Sequence, residues 1–324
     1  MIRPVLGTAA EREGHLMSRT PASILIVLSG FVVSGLAISG IVAGSLFGWG
    51  GSQSETAPTP PPPIPTPREV AQDGLEALRD VPAGEFPARL ATWVDRRLSA
   101  GAGESPERAR ERRRSFLAGA GALFDAGDTL RNVPLLGRAF DGIILEEEKT
   151  LRDAICARAR LHGRSDAPKH FFIAAALAAR GGPAAAAQAS LVKEIEDARR
   201  FDEDSRRGSG FSYLDLAYDH AGIRFAAWIL GWREEERLGE AAPPVGAFLP
   251  DFAGLDLPER IGWQRYVAEY RGDRTAEIIE RIHVAIDESL RARESTPEGG
   301  EPPAGGRIGP ASGSPPTERN GKSP

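Results

Sequence analysis

Cysteine is almost absent from this chain: one residue, Cys156, in 324. A lone thiol closes no intrachain disulfide, so a disulfide-stapled secreted mini-fold is excluded, while the redox compartment stays open. Lysine is scarce too, with Lys149, Lys169, Lys193 and Lys322 alone among 40 basic residues; beside so much Ala, Gly and Pro this is compositional bias, not a functional signal. Nor is there an excess of positive charge. The 40 Lys+Arg stand against 45 Asp+Glu, a formal balance of −5, which lacks the basic footprint of a nucleic-acid-binding domain. Alternating apolar–polar runs rich in β-branched residues are missing, so no sheet is expected. No HExxH, CxxC or doubled Glu-x-x-His pattern occurs, and there is no internal repeat.

Charge is also missing from Thr20 to Ser54, between Arg19 and Glu55. Inside that gap Ile24–Trp49 is apolar or small throughout, 26 residues. As a helix it covers roughly 39 Å, more than a ~30 Å hydrocarbon core. A secretory signal has a shorter apolar region, and no small-x-small cleavage site follows. The expectation is an uncleaved signal-anchor helix at 21–50, contacting the lipid bilayer through residues 23–49, with a long cleaved signal as the rival. Arg3, Arg12 and Arg19 flank its N-terminal side, and no Lys or Arg follows before Arg68. The positive-inside rule puts residues 1–20 in the cytoplasm and the bulk of the chain on the extracytoplasmic side. Gly40, Gly44 and Gly48 form a smooth stripe on which two such helices could pair as a homodimer.

Residues 51–67 carry seven prolines and no residue run able to build a core, and are expected to form an extended spacer. Residues 294–324 are Gly, Pro, Ser and charge, and are expected to be disordered. Between them, residues 68–293 suffice for one sizeable core. Ser105-Pro106-Glu107 opens a helix with a capping hydroxyl and a proline at the first position, running to about 126. Ile278, Ile279, Ile282, Ile286 and Leu290 recur at helical spacing. Further helices are expected near 69–80, 87–100, 144–161, 167–180, 184–202, 212–231 and 258–270, giving an all-α domain. The run Arg108, Arg110, Arg112, Arg113, Arg114 is interrupted by Glu111 and spread around its helix, so a solvated face is expected.

Chemistry-bearing residues gather in 166–231. Lys169-His170-Phe171-Phe172 begins a helix that is apolar all round, which is normally a buried one. His170 lies near its positive end, which disfavours the imidazolium and leaves a neutral ring able to bind a metal or accept a proton. In the next helix Glu194 falls inside the apolar arc of Leu191, Ile195, Ala198 and Phe201, with Asp197 at its edge; Lys193, Glu196 and Arg200 point elsewhere. Gly208-Ser209-Gly210-Phe211-Ser212 is a turn, Ser212 is placed to cap, and Asp215 sits at the third capping-box position. Asp219 lies one turn on from Asp215, followed by Gly222 and Ala226, small residues that admit another helix closely. Several buried carboxylates require compensation.

Two readings of these residues stay open. His170, Glu194, Asp215 and Asp219 form a shell for a divalent metal, or with Asp197 an acid/base centre for metal-assisted hydrolysis of an envelope component. Alternatively they are internal glue in a non-enzymatic structural or interaction module. The stretch Lys169-His170-Phe171, Lys193-Glu194, Asp197, Gly-Ser-Gly-Phe-Ser at 208–212, Asp215-Leu216, Asp219 and Ala221-Gly222 resembles a family of uncharacterised bacterial envelope proteins, and is distantly similar to YfiM-like lipoproteins and VanZ-like membrane proteins. The likeness covers about 55 residues, 169–222. It implies a shared polar site and no particular reaction; this chain departs from the lipoproteins in lacking a cysteine for lipid attachment.

Overall fold

A computed structural model describes residues 62–99, 104–133, 136–202, 204–231 and 245–294. The expected membrane helix at 21–50, the stretch 1–20 expected in the cytoplasm, the Gly40, Gly44 and Gly48 stripe, most of the proline-rich spacer and all but the first residue of the 294–324 tail lie outside these residues. No helix among the described residues is long and apolar enough to cross a membrane.

Every regular element among the described residues is helical, and the β contacts there are isolated bridges. The chain runs α1 (Pro67–Leu78), α2 (Phe86–Ser99), α3 (Pro106–Phe124), α4 (Lys149–Arg158), α5 (Ala167–Gly181), α6 (Pro183–Arg200), α7 (Tyr213–Ile229), α8 (Trp263–Arg265, continuing as a π turn Tyr266–Tyr270) and α9 (Asp273–Glu294). Short 3₁₀ turns fill the connections.

Local signals set these boundaries. Thr66 caps α1 in a reciprocal box: its hydroxyl accepts the Glu69 N–H at 3.2 Å and the Glu69 carboxylate accepts the Thr66 N–H at 2.7 Å. Pro67 is therefore the first helical residue, not the end of a spacer. The last prolines also pack on the domain, because the Ser115 hydroxyl donates to the Pro65 carbonyl and Arg108 to that of Pro62. The helix expected from 144 begins instead as a 3₁₀ turn at Glu146–Glu148 and becomes α-helical only at Lys149. The one expected from 258 starts only at Trp263, because Phe211 and Ile261 exchange both backbone hydrogen bonds, at 2.9 and 3.0 Å. Gly210 permits that approach: its φ is +72°, and a Cβ there would strike the backbone of Arg260 and Ile261.

The centre of the domain is α5, buried from His170 to Ala179. It packs against α7 on one side and α3 on another. Small residues make both approaches close: a Cβ on Gly222 would fall on the Phe171 carbonyl, and one on Gly121 would meet the Ala176 side chain. Aromatic rings fill the remaining space, with Phe171 and Phe225 at 5.3 Å and Phe124 stacked on Phe172 at 4.8 Å. The arginine run is only partly a solvated face. Arg112 is buried against Glu104, its Nε 3.1 Å from Oε2, and half-buried Arg113 donates to the Ile229 carbonyl at the end of α7 at 2.7 Å.

Candidate functional site

Where α5, α6 and α7 meet, all five expected carboxylate and imidazole groups join one connected network. His170 is its hub: Nδ1 lies 3.0 Å from Asp219 Oδ1 and Nε2 lies 3.2 Å from Asp215 Oδ2. Lys193 extends it, with Nζ 2.6 Å from Glu194 Oε1, 3.1 Å from Asp197 Oδ2 and 3.7 Å from Asp215 Oδ2. On the far side Arg164 donates to Asp215 Oδ1 at 3.1 Å, while also binding Asp166 and Glu259. His170, Glu194, Asp215 and Asp219 are buried, and Asp197 is half-buried.

Glu194 has a second attachment that explains a carboxylate in a leucine's place. Its Oε2 accepts the Ser212 N–H at 2.8 Å, while the Ser212 hydroxyl accepts the Asp215 N–H at 3.0 Å. The residue expected to complete the capping box from within α7 is Asp215. In the folded chain the reciprocal acceptor comes from α6 instead, which leaves Asp215 free to face His170, Lys193 and Arg164. The cap of α7 and the docking of α6 are thus one hydrogen-bonded unit.

The electrostatics reverse one expectation. The start of α5 was expected to favour a neutral ring at His170. Burial does pull its pKa down, but the charges of Asp219 and Asp215 outweigh burial and raise it to about 10. His170 is therefore an imidazolium clamped by two carboxylates. Asp215 is pushed up by burial yet ends well below the usual carboxylate range, held there by His170, Lys193 and Arg164. Burial lowers the Lys193 ammonium, and Glu194, Asp215 and Asp197 more than restore it, so its pKa is raised. Glu194 moves the other way. Burial dominates, Asp215 adds to it, and its carboxyl rises to about 7 despite Lys193.

His170, Glu194 and Asp215 each offer one ligand atom within 4.8 Å of the others, a spacing that a divalent cation could span. Asp219 is outside that group, because it binds the opposite nitrogen of the ring. Asp197 is outside it as well and reaches the network only through Lys193.

Two of the network's cations were not located by periodicity. Lys193, placed off the apolar face by the helical wheel, bends its long side chain back to the carboxylates. Arg164 sits in no helix. Leu161 and Arg164 exchange both backbone hydrogen bonds, at 3.0 and 2.9 Å, around His162 and Gly163 with φ of +49° and +78°. Two consecutive positive φ values are the mark of a type I′ turn. The His-Gly pair was the available signal, and the turn aims Arg164 back toward Asp215.

His220 and His283 meet each other rather than the network: His283 Nε2 is 3.0 Å from His220 Nδ1, joining α7 to α9. Burial and the neighbouring His283 lower His220 to about 4. Because the folded pKa lies below the ordinary ~6.5, the stability this neutral ring contributes is present above pH 6.5 and lost as pH falls through 4. The advantage of the wild type over His220→Leu is expected to shrink by about 3 kcal/mol between pH 7 and pH 4, read from urea melts at each pH. A constant difference would show that the ring titrates normally. Cys156 is no nucleophile here, since burial pushes its thiol up to about 12. No family model, curated protein or solved structure matches the chain.

Proposed function

We propose that this chain is a non-enzymatic module of the cell envelope, anchored in the bilayer through residues 23–49 with its helical domain on the extracytoplasmic side. The network around His170 is its internal lock. The observation that carries this reading is that both ring nitrogens of His170 and both oxygens of Glu194 already have protein partners. Among the described residues no fully buried side-chain nitrogen or oxygen lacks a hydrogen bond. A site built to bind and turn over a substrate ordinarily keeps some of its polar atoms available.

Metal-assisted hydrolysis is the competing reading, favoured by the spacing of His170, Glu194 and Asp215. To take a cation these residues must first lose the His170 proton and displace the Lys193 ammonium, both of which the surrounding carboxylates stabilise. A lock is the lower-cost use of the same groups. On this reading the likeness to YfiM-like envelope proteins marks a shared lock rather than a shared reaction.

Elemental analysis of the full-length protein, with melts in the presence and absence of chelator and of Zn²⁺, Mn²⁺, Mg²⁺ or Ca²⁺, tests the choice. The lock predicts no stoichiometric metal and a melting temperature indifferent to all of these additions. A tightly held metal, or a melting temperature that falls with chelator, would establish the metal centre instead.

A further inference from the structure

Against the lock, with its His170, Lys193 and Asp219 in the lining, a cavity of about 100 Å³ lies between α5, α6 and the 129–133 segment. Its wall is apolar, formed by Val133, Ile173, Leu177 and Ala189. The rest of its lining is polar, and two groups there are unused. Ser190 is only 6% exposed, lines the cavity, and its hydroxyl has no hydrogen-bond partner among the described residues. Lys169, also lining it, makes no ion pair there, in contrast to Lys193 on the facing helix. A half-buried ammonium and a hydroxyl that both open onto the cavity, neither bonded to another described group, are donors available to an acceptor.

We propose that this cavity binds a short aliphatic monocarboxylate, head toward Lys169 and Ser190 and tail along Ile173, Leu177 and Val133. Charge selects the head. Lys193 and the His170 imidazolium are already held by Glu194, Asp197, Asp215 and Asp219, so among the described lining residues Lys169 carries the unmatched charge: it repels an amine, and an alcohol leaves it unpaired. Volume selects the tail. A dry apolar cavity of ~150 Å³ accepts one benzene, six carbons, so this smaller one suits a tail of about four, the butyl group of pentanoate. Inorganic phosphate has no group to fill the apolar wall, and its second charge would lack a partner.

The test is a calorimetric titration of the full-length chain with pentanoate, 1-pentanol and pentylamine, on the wild type and on Lys169→Met and Ala189→Leu. Lys169→Met keeps the apolar stem and removes the charge; Ala189→Leu fills the cavity from a partly exposed position. Saturable binding of pentanoate alone is expected, at least about tenfold weaker in Lys169→Met and lost in Ala189→Leu, with both variants melting like the wild type. Absence of saturable pentanoate binding overturns the proposal. So does equal affinity for pentanol, or an affinity for pentanoate that Lys169→Met leaves unchanged.

Discussion

His170→Leu is expected to cost about 3–5 kcal/mol of folding stability, the usual result of removing one partner from a buried charge pair. Leucine fills much of the ring's space, so lost packing is a small part of the effect. What remains is Asp219, buried and stripped of its imidazolium, close to Asp215, which still has Arg164 and Lys193. Asp219→Asn should be milder, about 1.5–3 kcal/mol, since its oxygen can still accept from Nδ1–H. The double variant His170→Leu/Asp219→Leu should recover part of the single-variant loss, because no orphaned charge is left behind. Equilibrium urea unfolding measures all three. A His170→Leu cost below about 1 kcal/mol, the range of exposed ion pairs, would mean that the cluster is solvated and holds nothing together.

Glu194→Ala is expected to be equally severe, at about 3–5 kcal/mol. It strands the Ser212 N–H at the start of α7, weakens the hold on Lys193, and opens a void at a fully buried position. Glu194→Gln is the informative companion. Since the folded carboxyl is raised to about 7, above the ordinary ~4.3, the stability linked to its protonated form is present below pH 4.3 and is lost as pH rises through 7. Glutamine does not titrate, so the wild type should gain on Glu194→Gln as pH falls from 8 to 5. A difference independent of pH would place the Glu194 titration elsewhere.

Most of this architecture was legible in the sequence because helical periodicity is local information. The apolar α5, the Ser105-Pro106 start and the isoleucine stripe of α9 each declare themselves within a few turns. The five network residues were legible for a related reason, since a carboxylate in an apolar arc, as at Glu194, violates the pattern around it. Pairing was not legible. Whether His170 is neutral or charged depends on Asp215 and Asp219, about 50 residues away in sequence, and at short range those two charges override the helix terminus. Arg164 escaped because periodicity says nothing about a two-residue turn. The reciprocal cap was assigned to Asp215 because capping rules are written for one helix, whereas Glu194 supplies it from the neighbouring one.

The ring of His170 carries the account, and its protonation can be observed directly. In the full-length protein with ¹⁵N-labelled histidine, both ring nitrogens of His170 should bear protons at pH 8, with deprotonation only as pH approaches 10. A neutral ring at pH 8, with one nitrogen unprotonated and free to hold a metal, would contradict the lock and return the site to the metal reading.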